Sequence, residues 1–317
     1  MLYKKNYFSS LVHNLTQRSE RAALGLLGIG NAPLRQFLHD RLTAPPGTEG
    51  ALLADPVFEP TFGWQESQET MSSLAGGPFL NRKLAQVMAA PPKELAEEYA
   101  FPSDRHPFEH QLSAWEVLNH PKPQSLVVTS GTGSGKTECF LVPVLNQLAN
   151  EVDANVDPEG IRALFIYPLN ALINSQQSRL DAWTDGFGGK IRHCLYTGAL
   201  ENERKAIDQK YKGQVIDRTK LRDSPPQILV TNATMLEYML IRKEDAPLLQ
   251  KSEGKLRWII LDEAHSYIGS QAAEMALLLR RVMLAFKVKP EDVRFVATSA
   301  TFGSDEQTIE NLRSFLA

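Results

Sequence analysis

The chain holds only two cysteines, Cys139 and Cys194, far apart in 317 residues. Thiols so separated give neither zinc-site spacing nor a disulfide framework, so buried thiols in a reducing cytosol are expected. Long hydrophobic runs are also missing. The longest early one, Ala22 to Ile29, is too short to span a bilayer. It follows Arg18 and Arg21 and lies too far from Met1 to suit a signal peptide. No membrane partner and a cytoplasmic location are therefore expected. Charge of one sign is lacking as well. The net charge is -3, so no global basic field marks a nucleic-acid binder, although a local basic face would suffice. No internal repeat or low-complexity tract is evident. Hydrophobic residues make up 43% and charged residues 22%, which fits a soluble globular chain with a sizeable core.

The informative stretch is Ser130 to Thr137, Ser-Gly-Thr-Gly-Ser-Gly-Lys-Thr. It follows the apolar run Leu126-Val127-Val128 and opens a periodic apolar stretch that ends near Leu148. Strand, glycine-rich loop and helix in that order make a phosphate-binding P-loop. Gly131, Thr132, Gly133, Ser134 and Gly135 would turn backbone N–H groups onto phosphate oxygens, and the helix N-terminus adds partial positive charge. Lys136 would reach the β- and γ-phosphates of ATP, and the Thr137 hydroxyl would ligate Mg²⁺. One residue departs from the pattern: Ser130 stands where the strict motif has glycine.

Two regimes divide the chain. Residues 1 to about 104 show helical periodicity in pieces, around Leu24 and Leu27, around Leu34, Phe37 and Leu38, and from Leu80 to Met88. Thr43-Ala44-Pro45-Pro46-Gly47 reads as a loop, and Pro91-Pro92 ends the last helical piece. A helix-rich accessory domain is expected there. From about Arg105, short β-rich runs alternate with helical stretches. They are Leu126–Thr129, Ala163–Tyr167, Ile191–Tyr196, Ile228–Thr231, Trp258–Leu261 and Val293–Ala297. Such alternation predicts an α/β fold with a mainly parallel sheet covered on both faces, and ligands at the C-terminal strand ends.

Trp258–Leu261 leads into Asp262-Glu263-Ala264-His265. Two carboxylates at one strand end suit divided labour: Asp262 to hold Mg²⁺ through a water, Glu263 to orient and deprotonate the attacking water. His265 would sense the γ-phosphate or a neighbouring domain. Ser299-Ala300-Thr301 follows the last apolar run. Ser299 and Thr301 could hydrogen-bond the acidic loop and transmit its state; taken alone they would be an ordinary turn.

Together these residues resemble motifs I, II and III of superfamily 2 helicases, over roughly residues 105 to 317. Gln111, within Pro107-Phe108-Glu109-His110-Gln111, stands where these proteins carry an adenine-reading glutamine. Tyr167 to Leu172 with Gln176 resembles motif Ia, Tyr196-Thr197-Gly198 resembles motif Ib, and Ile228 to Leu236 is similar to the following Thr-Asn-Pro-x-Met-Leu element, motif Ic, with Ala233 replacing its proline. Asp-Glu-Ala-His with this motif Ia is most similar to the Hrq and mitomycin-repair group of DNA helicases. The first hundred residues resemble the start of the large helicases of Druantia-type anti-phage systems. The resemblance implies a RecA-like domain that hydrolyses ATP with Mg²⁺ while gripping one DNA strand, typically moving 3′ to 5′. In that light Asn170, Thr197, Thr231 and Asn232 would lie along the strand's phosphates.

The stretch Arg204 to Arg222 carries Arg204, Lys205, Lys210, Lys212, Arg218, Lys220 and Arg222 with few acids. It is either a basic insertion that contacts nucleic acid or a solvated helical hairpin. Ser304-Asp305-Glu306-Gln307 reads as a capping box. No motif IV to VI follows before Ala317, so a second RecA-like domain, with its arginine fingers, is an expected partner from the same parent protein. A partner subunit of a defence system is a further one. The chain alone is expected to bind ATP·Mg²⁺ weakly and hydrolyse it very slowly. Two alternatives stay open: an RNA helicase or duplex translocase with the same motor, and a non-catalytic module that docks a partner. A transporter-type or AAA-type ATPase would leave the Ia-, Ib- and Ic-like elements unexplained.

Overall fold

The computed structural model describes residues 7–56, 63–131, 133–202, 209–267 and 269–299. The chain divides into two compact units, the first ending at Gly63 and the second beginning at Trp64. In the first unit, α1 (Tyr7–Leu27) packs on α2 (Ala32–Leu42). Asn31 caps α2, its Oδ1 accepting from the Leu34 N–H at 3.0 Å, and Pro33 sits in the first turn, where a missing N–H is harmless. Helix α1 starts well before the expected Leu24. Among the described residues, no helix is long and apolar enough to cross a membrane.

The second unit contains α3 (Met71–Leu74), α4 (Arg82–Ala89), α5 (Lys93–Tyr99), α6 (Glu109–Leu118), β1 (Leu126–Thr129), α7 (Lys136–Asp153), β2 (Ala163–Ile166), α8 (Asn170–Thr184) and β3 (His193–Tyr196). Then come α9 (Arg218–Asp223), β4 (Ile228–Thr231), α10 (Ala233–Ile241), α11 (Ala246–Lys251), β5 (Trp258–Leu261), α12 (Ser270–Ala285) and β6 (Arg294–Ser299). The strands make one parallel sheet in the order β1-β6-β5-β2-β4-β3. Each strand coincides with an expected run. The runs read as continuous apolar stretches because both faces are covered. Side chains alternate accordingly: Trp258 and Ile260 pack with Phe140 and Phe165 on one face, Ile259 and Leu261 with Leu236 and Phe286 on the other.

Register sets the site. Thr129 lies level with Ser299, Leu261 with Ala297, and Ile166 with both Leu261 and Thr231. The P-loop, the acidic turn and the Ia- and Ic-like elements therefore leave the same edge of the sheet.

The seam between units falls before Trp64, not near residue 104. Met71, Leu84, Val87, Met88 and Phe101 are buried in the same cluster as Phe140 and Phe165. The Trp183 indole donates to the Tyr99 carbonyl at 2.9 Å, and the Asn81 amide donates to Asn150 and Asp153 of α7 at 2.8 and 2.7 Å. Residues 64–104 thus form part of the sheet's helical cover.

Candidate nucleotide and nucleic-acid site

Between β1 and α7, Gly133 (φ 77°) and Gly135 (φ 76°) take the left-handed conformation that favours glycine. A Cβ on Gly135 would also lie 2.3 Å from Gln111 Nε2. Ser130 has no positive φ, so the loop needs no glycine there. Its hydroxyl instead meets that of Ser134 at 2.6 Å, closing the loop on itself. Lys136 Nζ donates to the Ser130 and Gly131 carbonyls at 2.9 and 3.2 Å, which holds the ammonium over the loop. Thr132 lies outside the described residues.

Gln111 does not present the edge an adenine reader needs. It is 2% exposed, its Oε1 accepts from the Phe108 N–H at 2.9 Å, and its Nε2 donates to the Gly135 carbonyl at 3.1 Å. The amide ties α6 to the P-loop. An exposed aromatic at this lip is Trp64, which belongs to no sequence motif. Its indole is 39% exposed, lies against Gly131 and meets His110 edge-on with ring centres 5.4 Å apart. His110 Nε2 in turn lies 2.9 Å from the Ser134 carbonyl.

At the end of β5, Asp262 is 9% exposed. The Thr298 hydroxyl of β6 donates to its Oδ1, and the Glu263 N–H reaches the same oxygen at 3.1 Å. Oδ2 has no hydrogen-bond partner among the described residues. Burial raises the Asp262 carboxyl above its ordinary range; the Glu263 charge adds to this, while Thr298 and Lys136 oppose it. Strand order puts the Lys136 loop and the Asp262 turn at one edge of the sheet, separated by β6. Glu263 adopts the left-handed region (φ 51°, ψ 47°) without being glycine, a conformation that costs about 1–2 kcal/mol. Its N–H bonds hold it there, along with the Ser266 N–H and hydroxyl on its carbonyl at 2.9 and 2.8 Å.

His265 Nδ1 lies 3.3 Å from Glu263 Oε2 and 3.0 Å from Ser299 Oγ. Ser299 thus meets the histidine, and Thr298, unforeseen from sequence, meets the aspartate. Thr301 and residues 304–307 lie outside the described residues.

On the neighbouring strand ends, Asn232 caps α10 by accepting from the Met235 N–H at 2.8 Å and donates to Asn170 Oδ1 at 2.7 Å. The pair borders a cleft of about 620 Å³ that also reaches Ser266 and Tyr267, just past the acids. The Tyr267 hydroxyl is buried with no partner among the described residues, and burial together with Asp262 raises it to about 12. Thr231 does not face this cleft: it is 0% exposed and its hydroxyl donates to the Tyr196 carbonyl at 2.8 Å. Thr197 is mostly buried beside a cavity of about 220 Å³.

Among the described residues of the basic stretch, several cations have acidic partners. Lys210 pairs with Glu94, Lys220 with Asp217, and Arg222 with the buried Asp245. Arg218 is 8% exposed and turns inward. Arg204 and Lys205 lie outside the described residues.

Residues 108–309 match the DEAD/DEAH box helicase family. The chain is 26% identical over 296 residues to the Druantia protein DruE of Escherichia coli (strain UMEA 4076-1), covering 64% of this chain and 16% of that protein. It is 30% identical over 205 residues to the ATP-dependent helicase YprA of Bacillus subtilis (strain 168), covering 65% of this chain and 24% of that one. Among solved structures, the DUF1998 helicase MrfA bound to DNA superposes with a TM-score of 0.52 at 25% identity, over 74% of this chain and 29% of the helicase. The DEAD-box helicase Mss116 has a TM-score of 0.57 at 16% identity, over 80% of this chain and 44% of its own, a likeness of fold alone. The chain thus spans less than a quarter of these two curated relatives. A P-loop and an Asp-Glu-Ala-His turn at one edge of a single parallel sheet agree with the matched segment, and the chain belongs to the DEAD/DEAH box helicase family.

Proposed function

We propose that this chain is the ATP-binding motor domain of a superfamily 2 helicase that moves on DNA, with 3′ to 5′ polarity, in anti-phage defence or DNA repair. One observation carries the reading. The loop carrying Lys136 after β1 and the turn carrying Asp262 after β5 leave the same C-terminal edge of the sheet, with only β6 between them, where a triphosphate would lie. Lys136 binds the β- and γ-phosphates, and the loop N–H groups from Gly131 to Thr137 take the remaining oxygens. Trp64 supplies a face for the base. Glu263 orients the attacking water and accepts its proton, and His265 with Ser299 fixes that carboxylate.

The residues fit Mg²⁺. Asp262 Oδ2 and the Thr137 hydroxyl are hard oxygen donors without hydrogen-bond partners among the described residues. No cluster of three acidic, His or Cys ligands occurs there either. A cation that keeps its waters and leans on substrate phosphates needs no such cage. Bound, it would supply positive charge to the departing phosphate oxygens.

Asn170, Asn232 and Thr197 hold the tracking strand. DNA rather than RNA is supported by the DNA-bound helicase MrfA. The two thiols, buried and raised (Cys139 to about 12, by burial), suit a reducing cytoplasm. A second RecA-like domain and a defence-system subunit are the proposed partners.

Calorimetry with a non-hydrolysable ATP analogue and Mg²⁺ tests this. The chain should bind the analogue, Lys136→Ala should abolish binding, and Glu263→Gln should keep it while ending the slow hydrolysis. Absence of binding by the unaltered chain would overturn the reading. Tighter binding of single-stranded RNA than of DNA would instead move it to an RNA helicase.

A further inference from the structure

The inward turn of Arg218 gives it a role that a basic stretch does not suggest. Its Nε donates to the Leu200 carbonyl at 2.8 Å and its Nη2 to the Thr197 carbonyl at 3.1 Å. The first turn of α9 grips the same loop through its backbone. The Arg218 N–H donates to the Glu201 carbonyl at 2.9 Å and the Thr219 N–H to that of Asn202 at 3.1 Å. The Thr219 hydroxyl adds a bond to Asn202 at 2.9 Å. The loop Thr197–Asn202, which begins with the expected phosphate-contacting threonine, is thus strapped down at both ends.

The strap is itself anchored. The Arg218 guanidinium lies over the Tyr196 ring, 5.1 Å from its centre. The Tyr196 hydroxyl donates to Asp245 Oδ2 at 2.6 Å, and Arg222 Nε donates to Oδ1 of the same carboxylate at 2.8 Å. Asp245 stands just past α10, the helix capped by Asn232. Tyr196, Arg218, Arg222 and Asp245 therefore fix the Thr197 loop relative to the element that carries Asn232. Arg218 has no corner to offer a phosphate: its Nη1 is buried and has no partner among the described residues.

We propose that Arg218 is a positioning residue for the tracking strand, holding the Thr197–Asn202 loop at a fixed spacing from Asn232 without touching nucleic acid. This rests on the nucleic-acid reading above. A guanidinium can fork onto two carbonyls at once, whereas an ammonium is a point charge and cannot hold the same pair in one geometry.

The test is fluorescence anisotropy of a labelled single-stranded DNA oligonucleotide with the full chain, repeated over a range of salt. Arg218→Lys keeps the charge and should weaken binding about tenfold, the scale of a lost hydrogen bond to a charged group. Affinity for the ATP analogue should not change. The slope of log affinity against log salt should also stay the same, whereas a lost phosphate contact would reduce it by about 0.7. Thr197→Ala and Arg218→Lys should be less than additive, because both act through one loop. Should Arg218→Lys fail to fold, Thr219→Ala removes an exposed bond of the same strap and should weaken binding about twofold. Unchanged affinity in both variants, or a reduced salt slope, would overturn the proposal. Failure of the unaltered chain to bind any single strand would defeat the nucleic-acid reading itself, an outcome distinct from equal binding by variant and parent.

Discussion

The Thr298 hydroxyl of β6 donates to Oδ1 of Asp262 at the end of β5, and the pair is buried between adjacent parallel strands. The same hydroxyl oxygen accepts from the Glu263 N–H at 3.3 Å. One threonine thus orients the aspartate and supports the left-handed backbone of the glutamate. Thr298→Val keeps the shape and removes both bonds, leaving Asp262 Oδ1 and the Glu263 N–H with only each other at 3.1 Å. The expected cost is about 1–3 kcal/mol of stability, read from the midpoint of denaturant unfolding. Analogue affinity in Mg²⁺ should fall as well, since Asp262 loses its fixed orientation.

The raised Asp262 carboxyl gives a pH prediction whose sign is fixed. A group whose folded pKa lies above its unfolded value favours the fold when protonated, and that contribution is lost as pH rises through the folded pKa. Ionised Asp262 is therefore a burden at neutral pH, chiefly through burial. Asp262→Asn should melt at a higher temperature than the parent at pH 7 to 8, with the difference shrinking on acidification. The same variant should lose Mg²⁺-dependent analogue binding. Equal melting temperatures across the whole pH range would show that the carboxyl is not perturbed.

The strands, the glycine-rich loop and the Asp-Glu turn are legible in the sequence because each leaves a local trace. A strand buried on both faces is a short unbroken apolar run, and a P-loop or an Asp-Glu pair is contiguous. What escaped was non-local. Helices α3 to α5 are short, and their place under α7 and α8 depends on contacts such as Trp183 with Tyr99. Arg218 reads as solvent-facing until its carbonyl partners are known. Thr298 was passed over for Ser299, although the alternation of a strand sends neighbouring side chains to opposite faces, so only one of the two could meet Asp262. Gln111 matched the expected position, but its burial shows an amide held by backbone on both sides.

The two left-handed P-loop glycines should respond differently to alanine. At Gly133 an added Cβ meets nothing within 4 Å, so Gly133→Ala should cost only the conformational penalty, about 1–2 kcal/mol. At Gly135 the Cβ would also strike Gln111 Nε2, whose amide joins α6 to the loop. Gly135→Ala should be the more destabilising of the two and should shift analogue affinity further. Thermal unfolding with and without the analogue separates the effects. Equal losses at both positions would mean that Gln111 gives way freely and does not buttress the loop.

Trp64 gives a test of base binding through its open face. Its residue surface is 39% exposed at the lip of the P-loop, so one face is open while the rest is covered, with Gly131 and His110 among its neighbours. Trp64→Ala should cost about 1–3 kcal/mol of stability from the covered part of the ring, measured separately by thermal unfolding. If the ring is the platform for the base, affinity for the ATP analogue should fall about fivefold to a hundredfold, in line with aromatic stacking worth about 1–3 kcal/mol per base. Trp64→Phe should recover most of that loss, since any flat aromatic face stacks. Affinity for inorganic triphosphate, which has no base, should be the same in all three proteins. A parallel loss for triphosphate would instead assign Trp64 to the shape of the loop.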